Sequence, residues 1–372
     1  MEHKVVRVIA HHICSPLADG SQENYRLVKA GKPAVSQHRA EEWELAEDFM
    51  VGLMKEPIAE PRAVSLAMKS LRGAVSKLKE PLPVERTLFI LSTTKGNVEL
   101  LDKDLSADIS LSTMAAEFSR QLGLTMKPLV VSNACTSGVC AQIAASRALQ
   151  SGICDYAVVC GVEAQSRFIV SGFQSFHALS PEGCRPFSKN RVGLNAGEAA
   201  ATIIYTLSDA QQLTEEDWTL RAGAIRNDAN HISGPSRVGE GSFRALRAVM
   251  TDVSADELAF VSVHGTATSF NDEMESIAIS RAGLIDVPIC SLKGYYGHTM
   301  GAAGVLETII SMEAVEDNNV PATYGYDGEL GVSHPVKVSN ENRPTTKRSF
   351  IKLISGFGGC NAAIRMQKGG KA

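Results

Sequence analysis

The stretch PLVVSNACTSGVCAQIAAS, Pro128–Ser146, decides how the chain is read. A β-branched run near Pro128–Asn133 gives way to a turn and then to a small-residue helix over Thr136–Gln150. Valines favour a pleated strand, while alanine, glycine and serine let a helix approach a sheet or another helix closely. The same succession returns in PICSLKGYYGHTMGAAGVLETII, Pro288–Ile310, as a strand near Val287–Leu292, a glycine-rich turn and a helix near Met300–Val315. The likeness lies in element order and not in residue identity. It predicts two similar halves meeting around Ser208–Asp217, with residues 1–207 as the first unit and 208–372 as the second. From element order alone, true duplication and coincidence both stay open.

Outward from these stretches, strands are expected near Val5–Ile13, Thr87–Ser92, Tyr156–Gly161 and Ala200–Leu207. In the second half they are expected near Leu220–Asn227, Ala259–His264, Val336–Ser339 and Phe350–Ser355, with helices over Ser242–Thr251 and Asp272–Ala282. Strands alternating with helices point to a layered α/β fold. Residues 41–80 interrupt the first half as a helical insertion of two helices. At roughly 100° per residue, Arg62, Lys69, Arg72 and Lys79 fall on one side of the second of these, Arg62–Lys79, and the apolar residues on the other. Such a stripe is either a solvated face or a landing site for an acidic partner.

With 372 residues, the chain is long enough for more than one core. Its net charge of −4 speaks against a nucleic-acid binder, and 44% apolar with 21% charged residues speaks against global disorder. No apolar run reaches the roughly 20 residues that span a bilayer, and the first residues are not those of a signal peptide, so a cytoplasmic location is expected. None of the eight cysteines forms a CxxC pair, and most are expected to be buried thiols in a reducing compartment. No metal site is expected.

Cys135 differs from the rest. It stands where a strand turns into a helix, and a thiol at a helix N-terminus is expected to have a lowered pKa. His264 ends the strand in FVSVHGTAT, Phe260–Thr268. His298 sits in KGYYGHTMG, Lys293–Gly301, before the helix that matches the one after Cys135. Strand C-termini and helix N-termini are where α/β sites form. Two histidines there, beside glycines and opposite a cysteine in the matching position, are poorly explained by packing.

These motifs resemble the elongating β-ketoacyl-[acyl carrier protein] synthases of the thiolase-like superfamily. The resemblance rests on ACTSG around Cys135, HGTAT from His264 with Asp272, KGYYGHTMGAAG from Lys293 to Gly304 with Glu307, and GFGGCN from Gly356 to Asn361. Asp228–Pro235, DANHISGP, is similar to the family's pantetheine-side loop. The resemblance implies a thiolase-like fold, two α/β halves in an α-β-α-β-α core. It implies that Cys135 accepts an acyl group and that His264 and His298 serve decarboxylation of a malonyl thioester. Backbone N–H groups of Cys135 and Phe357 would form the oxyanion hole, with Phe357 as a gate. Lys293 would organise the site with Glu307 as charge partner and Asp272 in support. Ser233, Thr266 and Thr268 would hold the phosphopantetheine arm of an acyl carrier protein, with no other cofactor. A homodimer or a heterodimer with a related subunit is implied, as is docking of the carrier on Arg62, Lys69, Arg72 and Lys79. For Lys293, Glu307, Thr266 and Thr268, plain structural roles also remain open.

The chain departs from the family between Thr94 and Pro128, where it is shorter, and at His11-His12, Val192, Leu194 and Ala199. These changes bear on acyl-chain length and the dimer surface. A thiolase would need a second cysteine, for which Cys360 is the candidate by position. A synthase of the initiating type would carry Asn for one of the histidines. The remaining alternatives are a tunnel-shaping partner subunit, which would usually lack the cysteine, and an acyltransferase that does not decarboxylate.

Overall fold

A computed structural model describes residues 4–369. Its frame is one ten-stranded sheet. The strands are β1 (Lys4–Cys14), β2 (Thr87–Ser92), β3 (Leu129–Val131), β4 (Tyr156–Glu163), β5 (Ala199–Asp209), β6 (Trp218–Asn227), β7 (Leu258–Ser262), β8 (Ile289–Cys290), β9 (Ser349–Gly356) and β10 (Cys360–Lys368). They lie in the order β8-β7-β9-β10-β6-β1-β5-β4-β2-β3. Read inward from either edge, the two five-strand halves have the same chain order. In each, the first three neighbours from the edge are parallel and the next two pairings antiparallel. Within the described sheet the halves are joined where Val6–Val8 of β1 pairs with Trp218–Leu220 of β6. The division drawn at residue 207 runs through the end of β5.

Helices form three layers around this sheet. They are α1 (Arg62–Val75), α2 (Leu111–Gln121), α3 (Ser137–Gln150), α4 (Glu240–Val249), α5 (Ser269–Arg281) and α6 (Met300–Glu316). α1 and α2 cover one face of the first half, where Leu66, Leu71 and Phe118 meet Phe89 and Ile204. α4 and α5 cover the second half, with Leu246 and Ile279 against Val261 and Leu353. Between the halves lie α3 and α6, sharing a core with residues of both halves of the sheet such as Val159, Tyr205, Phe260 and Ile364. Every residue of α6 from Met300 to Val315 is buried, as a helix covered on all sides must be. The two central helices cross glycine on glycine: a Cβ on Gly304 would lie 2.4 Å from Val139 N, and one on Gly138 would lie 2.9 Å from Gly304 Cα. That contact sets how closely the two turns preceding these helices approach.

Three sequence expectations are corrected. Residues 41–61 hold a 3₁₀ turn, Ala40–Trp43, and a strand, Phe49–Gly52, in place of a helix. Glu44 ends the turn at φ 51°, and Phe49 and Val51 are buried against Trp43 and Leu53. Val336–Ser339 makes only a single bridge, Pro288 with Lys337, because its neighbour β8 is just two residues long. β10 was not expected at all. Its start is Cys-Asn-Ala-Ala, without a β-branched residue, and it is extended because β9 and β6 pair with it on both sides. Helices Ser21–Lys29, Leu111–Gln121 and Arg167–Ser175 also escaped the sequence reading.

Candidate active site

Ala134, at φ 46°, makes the sharp turn that lifts Cys135 from β3 onto α3. A non-glycine residue pays strain in this region, and such strain gathers where a side chain must be held in a fixed place. The turn is stitched by Asn133 N–H donating to Ser137 Oγ (2.7 Å) and by the Ser137 and Thr136 hydroxyls donating to Ala134 O (2.6 Å) and Asn133 O (2.7 Å). On the other side, the turn before α6 brings His298 to Cys135, with Nε2 2.9 Å from Sγ. The His264 ring stands edge-on to His298, centroids 5.0 Å apart at 79°. One ligand atom from each of the three lies within 4.8 Å of the others.

The electrostatics of this triad differ from the sequence expectation. Burial pushes the Cys135 thiol up to about 11, outweighing Lys293, which acts downward. Desolvation of the sulfur overrides the helix N-terminus, so the resting group is a thiol. Both histidines are held well below their ordinary pKa, first by burial and then by Lys293, and are neutral. Met300 N–H donates to His298 Nδ1 at 3.2 Å, which leaves the ring proton on Nε2, facing the sulfur. His298 is thereby a hydrogen-bond donor toward Cys135 and toward any oxygen that takes its place. The same commitment of Nε2 to a proton opposes use of the triad as a metal site, for which three such atoms would otherwise be the obvious set.

Below the histidines lies a buried charge cluster. Lys293 Nζ meets Glu307 Oε1 at 2.5 Å, with Lys293 fully buried. The other carboxylate oxygen is held by Lys352 Nζ, which also donates to Ser262 O (3.2 Å) and Val263 O (3.0 Å). The two ammonium groups hold the Glu307 carboxyl below its usual range despite burial. Asp272 stands further out, accepting Phe187 N–H at 2.7 Å, while burial raises its carboxyl to about 6.

A cavity of about 460 Å³ leads to Cys135. Ser233, Thr266 and Thr268 line it together with His264, His298 and Phe357, and the hydroxyls of Thr266 and Thr268 are 2.8 Å apart. Phe173, Phe176, Val192 and Phe270 make the rest of the wall largely apolar. Phe357 is exposed at the mouth, edge to face with Phe176 (5.9 Å, 71°). A Cβ on Gly356 would sit 3.2 Å from Cys135 N, so the backbone leading into Phe357 passes directly beside that N–H. None of Arg62, Lys69, Arg72 and Lys79 lines this cavity. Arg62 turns inward to the buried Glu198 (2.5 Å) and Lys69 pairs with Asp19 (3.3 Å), which corrects the reading of the four as one outward stripe.

Family models of the β-ketoacyl synthase N-terminal and C-terminal domains match residues 90–210 and 219–327. The chain is 30% identical over 272 residues to nodulation protein E of Rhizobium meliloti, covering 69% of this chain and 66% of that one. It is 30% identical over 275 residues to 3-oxoacyl-[acyl-carrier-protein] synthase 2 of Vibrio cholerae, covering 68% and 65%. The matched stretches thus span just under two thirds of these relatives. Among solved structures, the ketosynthase ApeO in complex with its chain length factor ApeC, from Xenorhabdus doucetiae, superposes with a TM-score of 0.88 at 22% identity over 98% of both chains. The chain belongs to the β-ketoacyl synthase family.

Seen as a β-ketoacyl synthase, the site contains residues that the sequence reading missed. Lys352 is one, the second cation on Glu307. Glu275 is another: it accepts the N–H groups of His264 (2.6 Å) and Gly265 (2.7 Å) and so fixes the end of the strand carrying His264. It stands one helical turn after Asp272, a spacing that could have pointed to it. Glu163 ties the two halves together in the same way, accepting the N–H groups of Thr94 (2.9 Å) and Lys95 (3.0 Å) from the first and of Gly301 (2.9 Å) from the second. His177 also lines the cavity.

Proposed function

We propose that this β-ketoacyl synthase catalyses decarboxylative Claisen condensation between an acyl group on Cys135 and a malonyl thioester carried by an acyl carrier protein. The observation that carries the reading is the neutral His298, its Nε2–H aimed at the position of the Cys135 sulfur with the His264 ring beside it. In the first half-reaction the Cys135 sulfur attacks the incoming thioester carbonyl, and the N–H groups of Cys135 and Phe357 receive the oxyanion; its collapse breaks the carrier's C–S bond, and the departing carrier sulfur takes up the proton of the Cys135 thiol. In the second, loss of carbon dioxide places enolate charge on the malonyl thioester oxygen. Two neutral imidazole donors are suited to stabilise that charge in a site kept from water. The enolate carbon then attacks the acyl carbonyl and Cys135 leaves as thiolate, stabilised by the same N–H. Lys293, Glu307 and Lys352 are positioning residues. Ser233, Thr266 and Thr268, with the cavity wall, would take the pantetheine arm.

Retention of Cys135 disfavours a purely tunnel-shaping subunit. Cys360 does not line the cavity: its sulfur lies 2.9 Å from Asn133 Nδ2, which disfavours a thiolase using it as base. For carrier docking, the exposed Arg226 and Arg237 flank the cavity-lining Asp228–Pro235 loop and make no ion pair among the described residues, so they fit an acidic carrier better than the α1 stripe. A related subunit, identical or not, is expected to complete the assembly. Among the described residues no helix is long and apolar enough to cross a membrane.

The reading is tested by intact mass and by carbon dioxide release. Cys135→Ala should lose acyl loading. His264→Ala and His298→Ala should still load acyl groups yet release carbon dioxide from malonyl-carrier protein about 10²-fold more slowly. Undiminished release in both histidine variants would remove the decarboxylating reading and leave an acyltransferase.

A further inference from the structure

Behind the nucleophile lies a second thiol pair. Cys140 is on α3, one turn and a half past Cys135, and Cys360 opens β10 directly after the Gly356–Gly359 turn that carries Phe357. Both are buried and free. Asn133, two residues before Cys135, holds them together: its Nδ2 lies 2.9 Å from Cys360 Sγ and 3.8 Å from Cys140 Sγ. The Cys140 thiol is also 3.6 Å from Thr136 Oγ1. Gly359 and Asn361, the chain neighbours of Cys360, line the cavity, as does Ser355, the cross-strand partner of Asn361.

We infer that Cys140 and Cys360 form a redox-modification site for small hydroperoxides, closing to a disulfide that ties the helix of the nucleophile to the turn of the gate. One sulfur attacks a peroxide oxygen and breaks the O–O bond, giving a sulfenic acid and hydroxide. The second sulfur then attacks the sulfenic sulfur and expels its oxygen as water. In sum, two thiols and one hydrogen peroxide give one disulfide and two waters. The pair has the asymmetry this chemistry uses. Asn133 Nδ2 donates to Cys360 Sγ at 2.9 Å against 3.8 Å for Cys140 Sγ. Hydrogen bonds from Cys140 and Asn133 lower the Cys360 thiol, while the contact with Cys360 and burial raise that of Cys140. Cys360 is thus the attacking thiolate and Cys140 the resolving thiol. The resulting bridge would span the two pieces of backbone, at Cys135 and Phe357, that form the oxyanion hole, and would restrain the turn bearing the gate.

The inference about the bond does not rest on the proposed activity, because it is read by mass. In a Cys135→Ala background, where the reactive nucleophile cannot interfere, the folded protein is treated with hydrogen peroxide and then alkylated. The expected product has lost two hydrogens, keeps two fewer alkylatable thiols than the untreated protein, and yields a Cys140–Cys360 cross-linked peptide that a thiol reductant abolishes. Cys140→Ser and Cys360→Ser should each lose that peptide. Should one serine variant fail to fold, the other still reports the bond. If both thiols stay alkylatable in the treated protein, or if Cys360 proceeds to sulfinate with no cross-link, the inference is overturned. Separately, with Cys135 present, peroxide followed by reductant should restore more condensing activity in the parent than in Cys360→Ser, whose loss would reflect Cys135 alone. Equal recovery in the two would sever the bond from any control of the gate.

Discussion

Glu307 carries more of the site than its place in a helix suggests. One carboxylate serves two fully buried ammonium groups, Lys293 and Lys352. Removing one member of a buried ion pair costs about 3–5 kcal/mol, because the remaining charge is left without a partner. Glu307→Ala strands two cations at once and should lower the denaturation midpoint more than Lys352→Met, which leaves Lys293 on the carboxylate. A urea unfolding series of the two variants checks the order; equal losses would mean that Lys352 supplies no independent hold on Glu307. Both cations also depress the nearby histidines, so their charge acts on the chemistry at a distance while their positions act on the fold.

α6 is the element on which fold and site depend together. It presents Glu307 to the lysines, Gly304 to α3, and its first turn to His298. Gly304→Ala would place a methyl within van der Waals overlap of Val139 N, which is backbone and cannot swing aside. Overpacking of this kind costs about 1–3 kcal/mol. Because it separates the helices that follow Cys135 and His298, kcat should fall further than the change in stability accounts for; a variant destabilised but fully active when folded would contradict that coupling. Further along the same helix, Glu313 faces His11 (3.9 Å), with Lys77, Glu316 and Lys368 in electrostatic reach. Burial, then repulsion from Glu316, raises its carboxyl from 4.5 to about 7. An acid raised in the folded state binds more protons there than in the unfolded chain between pH 4.5 and 7. Its contribution to stability therefore falls as pH rises through that window, by up to about 3 kcal/mol. Glu313→Gln should match the parent near pH 4 and exceed it at pH 8 in thermal melts. A constant offset at both pH values would point to packing in place of titration.

At the scale of the whole molecule, charge placement separates the site's mouth from the body. If the proposed carrier is acidic, the net charge of −4 does not steer it, and local cations would have to do so. Arg226→Glu with Arg237→Glu is expected to raise KM for carrier-borne substrate several-fold at low salt and to leave a small pantetheine thioester unaffected. Lys69→Glu with Arg72→Glu, on the outer face of α1, serves as the comparison. If the second pair raises KM and the first does not, docking belongs to α1 after all.

Short-range signals in the chain located the candidate site. A cysteine at a strand-to-helix turn, two histidines beside glycines and most of the strand–helix alternation were legible, because these signals are held by chain neighbours. The pairing of Lys293 with Glu307 was implied only by the family resemblance. The sign of the Cys135 shift was not legible: the helix terminus is local, whereas the desolvation that overrides it is supplied by residues from both halves. Nor was Lys352, which reaches Glu307 across 45 positions of chain, or Glu275, whose importance lies in which backbone N–H groups it meets. β10 exists as a strand because two neighbours offer it hydrogen bonds, against the weak preference of its own alanines. Propensity and spacing belong to the local chain, while burial, the sharing of one carboxylate by two lysines and the pairing of distant strands come into being only when the two halves close around α3 and α6.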